Sequence, residues 1–339
     1  MKFEIVQSLK ETSWRCFLEQ QADANIFHSP EFFEVFSRVK GHEPQLWAAV
    51  KNEQVFALLT PVHVTLMDGA LSKKLTTRSI AYGSILYDHS SEGHTALEQL
   101  LQTYASQNKQ SALFTEFRNL ADLEGVQPIL KRCGFVYEDH LNYLIDLNRP
   151  PEEVMQSIGQ RTRKQIRRGL RQGNVTISEV TDKPQLTEWY LLLQKTYSAA
   201  QVPLGDISLF EAAFDVLYPK SMIKLLIATV AEEMIACSAE LLFKHIIYGW
   251  YSGVDRAFSS YIPNELLMWH LLEWGANHEQ YQVYDFGGAG KPDEEYGVRD
   301  FKAKFCGKLV NFGRNTYVHQ PGLLKISKFG YEIYRKISS

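Results

Sequence analysis

Two stretches of this chain spell out the same α/β unit, and that recurrence limits the fold more than any single motif. In VKNEQVFALLTPVHVTLM (residues 50–67) a polar turn leads into a long apolar strand, and VAEEMIACSAELLFKHIIYGW (residues 230–250) does the same. A helix-like segment follows each, EGHTALEQLLQTYASQN and then NELLMWHLLEWGANHEQ. Each helix leads to a short apolar strand, SALFTEFRN and then YQVYDFGGAG. Next come LKRCGF and AKFCGK, which set Cys133 and Gly134 opposite Cys306 and Gly307. A last strand closes each copy, LNYLIDL and then RNTYVHQ. The repeat predicts two α/β domains of one fold, divided near Arg149-Pro150-Pro151. A chain of 339 residues is also longer than one core usually organises. The copies are unequal: Glu116 stands where Asp285 stands, but the first copy lacks the glycine run, so the chemistry is expected in the second.

Composition narrows the function by exclusion. A net charge of −3 gives no global field for nucleic acid, so any anion site must be local. The start, MKFEIVQSLKETSWRCF, lacks the apolar core of a signal peptide. The most apolar stretch is broken by Glu232 and Glu233, short of the ~20 apolar residues a spanning helix needs. Cys16, Cys133, Cys237 and Cys306 are far apart, with no CxxC pair, and the ten histidines form no HxxxH or Cys/His cluster. No metal is assigned, and a cytoplasmic location is expected. Ser29 lies beside His28 without a third partner, so it is read as a helix cap rather than a nucleophile.

Residues 151–172, PEEVMQSIGQRTRKQIRRGLRQ, open with proline and two glutamates, as helices do, and Gly173-Asn174 supplies a stop. Val154, Met155, Ile158, Ile166 and Leu170 share one side; Arg161, Lys164, Arg168 and Arg171 share another, with Arg163 and Arg167 beside them. Such a face is either simply solvated or a phosphate-binding surface, since arginine forks and lysine point charges suit phosphate oxygens. Few aromatics interleave, so stacking on single-stranded bases is not indicated.

The stretch YDFGGAGKPDEEYGVRDFKAKF (residues 284–305) runs from a strand through glycines and an acidic loop to a lysine between phenylalanines. Together with YIPNELLMWHLLEWGANHEQ, it resembles the Fem-type aminoacyltransferases, which build peptidoglycan cross-bridges from aminoacyl-tRNA. Pro263, Asn264 and Trp269, then Tyr284-Asp285-Phe286-Gly287-Gly288, then Phe301-Lys302 with Phe305, carry the resemblance; RTRKQIRRGLRQGNV matches the basic start of that family's second domain. Weaker similarity runs through the whole chain from FHSPEFFEVF, and no helical-hairpin insertion is present, as in the family's shorter members.

The resemblance implies two tandem acetyltransferase-like (GNAT) domains with mixed, largely antiparallel sheets: 1–149 on the acceptor side and 150–319 on the donor side. A C-terminal amphipathic helix over 320–339 is expected to dock on the first domain or touch an anionic membrane, with Leu323, Ile326 and Phe329 on its apolar arc. It further implies aminoacyl-tRNA as donor, a muropeptide or glycan amine of a cell-envelope precursor as acceptor, and no bound cofactor. The family's precursor-binding lysine has no counterpart at a matching position; Arg38 and Lys40 are the cations in that stretch.

For amine attack on an activated carbonyl, a proton must leave and an oxyanion must be stabilised. The resemblance marks Lys302 for the oxyanion or a donor phosphate, with Asp285 able to orient an ammonium or accept a proton, or else to cap its own turn. Gly287 and Gly288 let substrate approach the backbone, Tyr248 and Tyr251 offer hydroxyls, and Arg161, Lys164 and Arg168 offer phosphate contacts. Asn264 is read as the cap of the helix after Pro263. An acyl-CoA-dependent N-acyltransferase is the competing reading, although no Gln/Arg-x-x-Gly-x-Gly/Ala loop stands before either helix. A non-catalytic binding module is the third.

Overall fold

The computed structural model describes residues 2–66, 69–327 and 329. The chain begins with β1 (Glu4–Val6), α1 (Glu11–Gln20), α2 (Pro30–Ser37), β2 (His42–Pro44), β3 (Trp47–Lys51), β4 (Gln54–Leu59) and β5 (Val62–Val64). It continues through α3 (Ala70–Thr76), β6 (Arg78–Ala81), β7 (Ile85–Tyr87), α4 (Ser91–Gln107), β8 (Phe114–Arg118), α5 (Gln127–Arg132), β9 (Val136–Glu138) and β10 (Leu141–Asp146). Then follow α6 (Pro151–Ser157), α7 (Gln160–Gln172), β11 (Thr176–Glu179), α8 (Lys183–Ala199), α9 (Ile207–Leu217), β12 (Ile223–Val230), β13 (Glu233–Phe243) and β14 (Ile246–Val254). Last come α10 (Pro263–Ala276), β15 (Val283–Gly288), α11 (Gly297–Ala303), β16 (Lys308–Asn311) and β17 (Arg314–Val318).

These elements form two compact units, 1–139 with 312–339, and 140–311. The first unit has a four-stranded sheet, β1-β3-β4-β7, and a six-stranded one, β2-β5-β6-β8-β17-β9. Its core gathers Trp47, Leu97, Leu100, Tyr104, Phe117 and Leu130. The second unit has one seven-stranded sheet, β11-β12-β13-β14-β15-β10-β16, cored by Ile145, Ile166, Ile235, Trp269, Tyr284 and Phe286. Among the described residues each unit holds one parallel pair among antiparallel ones, β6 with β8 and β14 with β15. The correspondence is strand for strand. The single long β13 is matched by β4 and β5, interrupted at Thr60-Pro61, where proline cannot donate to a ladder. The single β14 is matched by β6 and β7.

The division differs from the expected one in a specific way. The strand assigned to close the first copy, β10, pairs with β15 and β16 in the second unit. The strand assigned to close the second copy, β17, pairs with β8 and β9 in the first. The closing strands are exchanged, so the boundaries fall at 139/140 and 311/312 rather than near 150 and 320.

Local signals explain several ends. Ser29 caps α2, its Oγ accepting from the Phe32 amide at 3.1 Å, with Pro30 in the first turn. Gly173 ends α7 in the left-handed conformation at φ 64°. The helix expected over 151–172 is instead broken. Ile158 is extended, and Gly159 sits where a Cβ would lie 3.1 Å from the Lys304 carbonyl oxygen, so the chain restarts as α7. The break changes the helical phase: Thr162 and Ile166 are buried on α7, whereas Leu170, expected on the apolar side, is exposed. Residues 321–327 are helical, and Ser327 Oγ donates to the Leu75 carbonyl at 2.7 Å within the first unit. Ile326 and Phe329 are exposed there; the predicted continuation of the helix to residue 339 lies outside the described residues.

Candidate active site

The site of the second unit arises where its two parallel strands part. β14 and β15 keep register only over Ile246↔Val283, Ile247↔Tyr284 and Tyr248↔Asp285. At that level the ladder shifts on both sides, between Ala239 and Glu240 against β14, and between Asn142 and Leu144 against β15. Such irregularities bend strands and raise local twist, so Gly249–Val254 and Phe286–Gly288 diverge. A cavity of about 420 Å³ opens between them. Ligands of open α/β sheets favour this position, beyond the carboxyl ends of strands that separate. Thr196 and Tyr197 near the end of α8, Asn264 at the start of α10, and Tyr296 from the loop after β15 complete the walls.

The glycines are explained by close packing. Gly287 has φ 70°, and a Cβ there would lie 3.2 Å from both the Gly249 carbonyl oxygen and the Tyr248 hydroxyl. At Gly249 a Cβ would lie 2.5 Å from the Tyr284 hydroxyl.

Lys302 is 9% exposed, and its Nζ donates to three carbonyls at the end of β15: Phe286 at 2.6 Å, Gly288 at 2.8 Å and Gly287 at 3.3 Å. Three donors meeting three acceptors is the geometry of an ammonium. Burial lowers its pKa to about 8, with the charges of Asp285 and Glu240 opposing. Lys302 therefore anchors the parted strand; an oxyanion or phosphate would have to share its donors.

Asp285 is buried, and its Oδ1 accepts from Asn142 Nδ2 and from the Gly287 amide, both at 2.7 Å. The second bond closes its own turn. Burial raises its pKa, while those bonds and the Lys302 charge pull against the rise. Asp285 stands behind the cavity, whereas Lys302, Gly287, Gly288, Tyr248 and Tyr251 line it. Asn264 also lines it but is not the cap: that place belongs to Ile262 at φ 49°, and α10 begins without a side-chain cap.

Arg161, Lys164 and Arg168 are exposed on one face of α7 and do not line the cavity. Among the described residues none of the three forms a salt bridge. Arg38 and Lys40 belong to the first unit, at the end of α2 and just beyond it; Arg38 pairs with Glu34. Lys304, between Lys302 and Cys306, reaches Glu265 at 3.0 Å.

Glu240 escaped the sequence reading. It lies on β13, 1% exposed, lines the cavity, and its Oε2 accepts from the Tyr284 hydroxyl at 3.2 Å. Burial pushes its carboxyl up to about 8, against stabilisation of the charged form by Ser238, Tyr284 and Lys302. The signal was present: one glutamate inside the apolar run IACSAELLF is a buried charge in need of a reason.

Glu116, which pairs with Ile80 as Asp285 pairs with Tyr248, is held by Arg118 and Arg314, which keep its carboxyl low despite burial. Asn119 accepts from the Ser84 hydroxyl and donates to Asn315 Oδ1.

Residues 157–302 match the family model described as Acetyltransferase (GNAT) domain. With the fold above, this makes the second unit an acyltransferase-type GNAT domain. No curated protein matches the chain. Among solved structures, FemX superposes with a TM-score of 0.74 at 14% identity, over 95% of this chain and 99% of that one. A tandem GNAT protein from the clavulanic acid biosynthesis pathway gives 0.58 at 10%, over 94% and 99%. The C-terminal domain of a putative lysylphosphatidylglycerol synthetase from Agrobacterium fabrum gives 0.56 at 11%, over 93% of both chains. The chain thus has the tandem GNAT fold, and it is the fold of FemX that the resemblance to the Fem-type enzymes implied. Among the described residues, no helix is long and apolar enough to cross a membrane, and no group of three or more His, Cys, Asp or Glu is placed to hold a metal ion.

Proposed function

We propose that this protein transfers an aminoacyl group from aminoacyl-tRNA to an amine of a cell-envelope precursor, within the cavity of its second unit. The observation that carries the reading is the parting of β14 and β15 around a cavity that holds a buried lysine and a buried carboxyl group. The donor carbonyl would lie against Gly287 and Gly288, with the field of the Lys302 cation favouring the oxyanion that forms on attack. The donor's phosphates would meet Arg256 at the cavity wall and the exposed face of α7, where Arg161, Lys164 and Arg168 stand.

The names of FemX and of the lysylphosphatidylglycerol synthetase support an aminoacyl group, and an envelope molecule as its destination. An acyl-CoA donor is the second reading, favoured by the acetyltransferase model match. The two separate in one assay: purified protein is given radiolabelled aminoacyl-tRNA or acetyl-CoA, each with envelope precursors, and products are read by mass. Label moving only from CoA would replace the first reading by the second. No label moving from either donor, with no envelope mass change in cells lacking the protein, would end both.

A further inference from the structure

Acyl transfer requires a group that takes a proton from the attacking nitrogen, and the two residues first marked for the chemistry are engaged elsewhere. Lys302 spends its donors on three carbonyls, and Asp285 stands behind the wall, closing its own turn. Among the described residues that line the cavity, Glu240 is the acidic side chain. Rings of Tyr197, Tyr248, Trp250, Tyr251 and Phe286 wall the same space. A carboxylate in an aromatic-walled cavity suits an ammonium, which gains a charge-assisted hydrogen bond from the one and cation–π attraction from the others.

We propose that Glu240 receives the acceptor's primary amine and takes its proton during transfer. The proposal rests on the reading of this cavity as the place of transfer. Ionised Glu240 accepts one proton from the bound ammonium, and the neutral nitrogen attacks the acyl carbon. The N–C bond forms, the donor's ester C–O bond breaks, and a second nitrogen proton leaves with the departing oxygen. Glu240 then returns its proton to solvent.

The surroundings suit the task. Tyr284 from β15 donates to the carboxyl, Ser238 lies two residues away on the same strand, and the Lys302 charge acts on it from α11. Tyr248 and Asp285 bear on Tyr284, and Leu267 and Met268 of α10 bring no charge. Burial keeps the empty site's carboxyl largely protonated at neutral pH, and an arriving ammonium favours the ionised form.

The test uses the full chain with Glu240→Gln and, keeping the charge, Glu240→Asp. Binding of n-butylammonium and its uncharged counterpart n-butanol is followed above pH 8 by tryptophan fluorescence, since Trp250 lines the cavity. The wild type should prefer the ammonium. Glu240→Gln should lose that preference by roughly tenfold or more, and Glu240→Asp should keep it. With the donor that supports transfer, Glu240→Gln should lower turnover by about 10²–10⁴-fold and abolish the rise of wild-type rate with pH below about 8. Wild-type turnover and pH profile in Glu240→Gln would overturn the proposal while leaving the transfer reading intact. If no donor supports transfer, the butylammonium comparison still decides. Selective loss in Glu240→Gln keeps Glu240 as the amine's receptor, and equal binding by all three proteins removes it. Should Glu240→Gln fail to fold, retained ammonium preference with reduced turnover in Glu240→Asp supports the role, and absence of any preference in the wild type refutes it.

Discussion

Replacing Glu240 with glutamine removes a titration that folding perturbs strongly, and stability as a function of pH reports it directly. In the folded chain, burial moves this carboxyl from an ordinary 4.5 up to about 8. Between those two values the folded protein holds a proton that the unfolded chain has released. Folding therefore binds protons there, and wild-type stability falls as pH rises. The loss is absent below 4.5, grows by about 1.4 kcal/mol per pH unit, and reaches on the order of 5 kcal/mol near pH 8. Glutamine keeps an acceptor for the Tyr284 hydroxyl but has no proton to lose, so the variant should gain on the wild type across this window. Lys302 acts in the opposite sense and at higher pH. Its pKa falls from 10.5 to about 8 on folding, so it adds stability as pH rises between those values. Measurements from pH 5 to 8 keep the two apart. Urea unfolding at each pH, followed by the tryptophan fluorescence of Trp189, Trp250, Trp269 and Trp274 in the second unit, gives the comparison. The midpoints of the two proteins should separate steadily with pH. A difference that stays constant from pH 5 to 8 would mean that folded Glu240 is already ionised, and the burial argument would fail.

Lys302→Met should leave the carbonyls of Phe286, Gly287 and Gly288 without their donor and lower the stability of the second unit by about 1–3 kcal/mol; Lys304→Met, which removes a half-exposed ion pair with Glu265, should change it by less than about 1 kcal/mol in urea unfolding. Changing Arg161, Lys164 and Arg168 together to glutamine should leave the melting temperature unaltered and raise the KM for aminoacyl-tRNA. The salt dependence of that KM should also weaken, by about two to three in log–log slope if each cation meets one phosphate.

What the sequence disclosed and what it hid follow a physical line. Caps and stops at Ser29 and Gly173 were legible because each depends on atoms within three or four residues. The repeat was legible because two copies of one fold share their order of periodicities, and the strand-for-strand match of β13 with β4 and β5 bears this out. The partners of the closing strands were not. LNYLIDL and RNTYVHQ both read as strands, but which sheet takes a strand is decided by cross-strand neighbours rather than by its own propensity. The fate of Lys302 was hidden for a related reason. Its partners are main-chain carbonyls, which every residue has and no motif spells. Glu240 was hidden by its company: an apolar run announces a buried strand, and the eye passes over the one residue in it that is expensive to bury.

The strand exchange makes a prediction about where this chain can be divided. A fragment of residues 150–319, cut where the prolines suggest, would lack β10, which lies inside the second unit's sheet with β15 on one side and β16 on the other. It would also lose Ile145 and Leu147, both at most 2% exposed in that unit's core, and Asn142, which holds Asp285. It would meanwhile carry β17, whose partners β8 and β9 it does not contain. Each lost core side chain is worth about 2–5 kcal/mol, against a total domain stability of about 5–15 kcal/mol, so this fragment should be unfolded or aggregated. Residues 140–311 contain all seven strands of the sheet and end before β17. That fragment should give dispersed amide NMR signals and a cooperative melt. If 150–319 folds as well as 140–311, then β10 is dispensable, and the parting of β14 from β15 does not depend on the strand that flanks it.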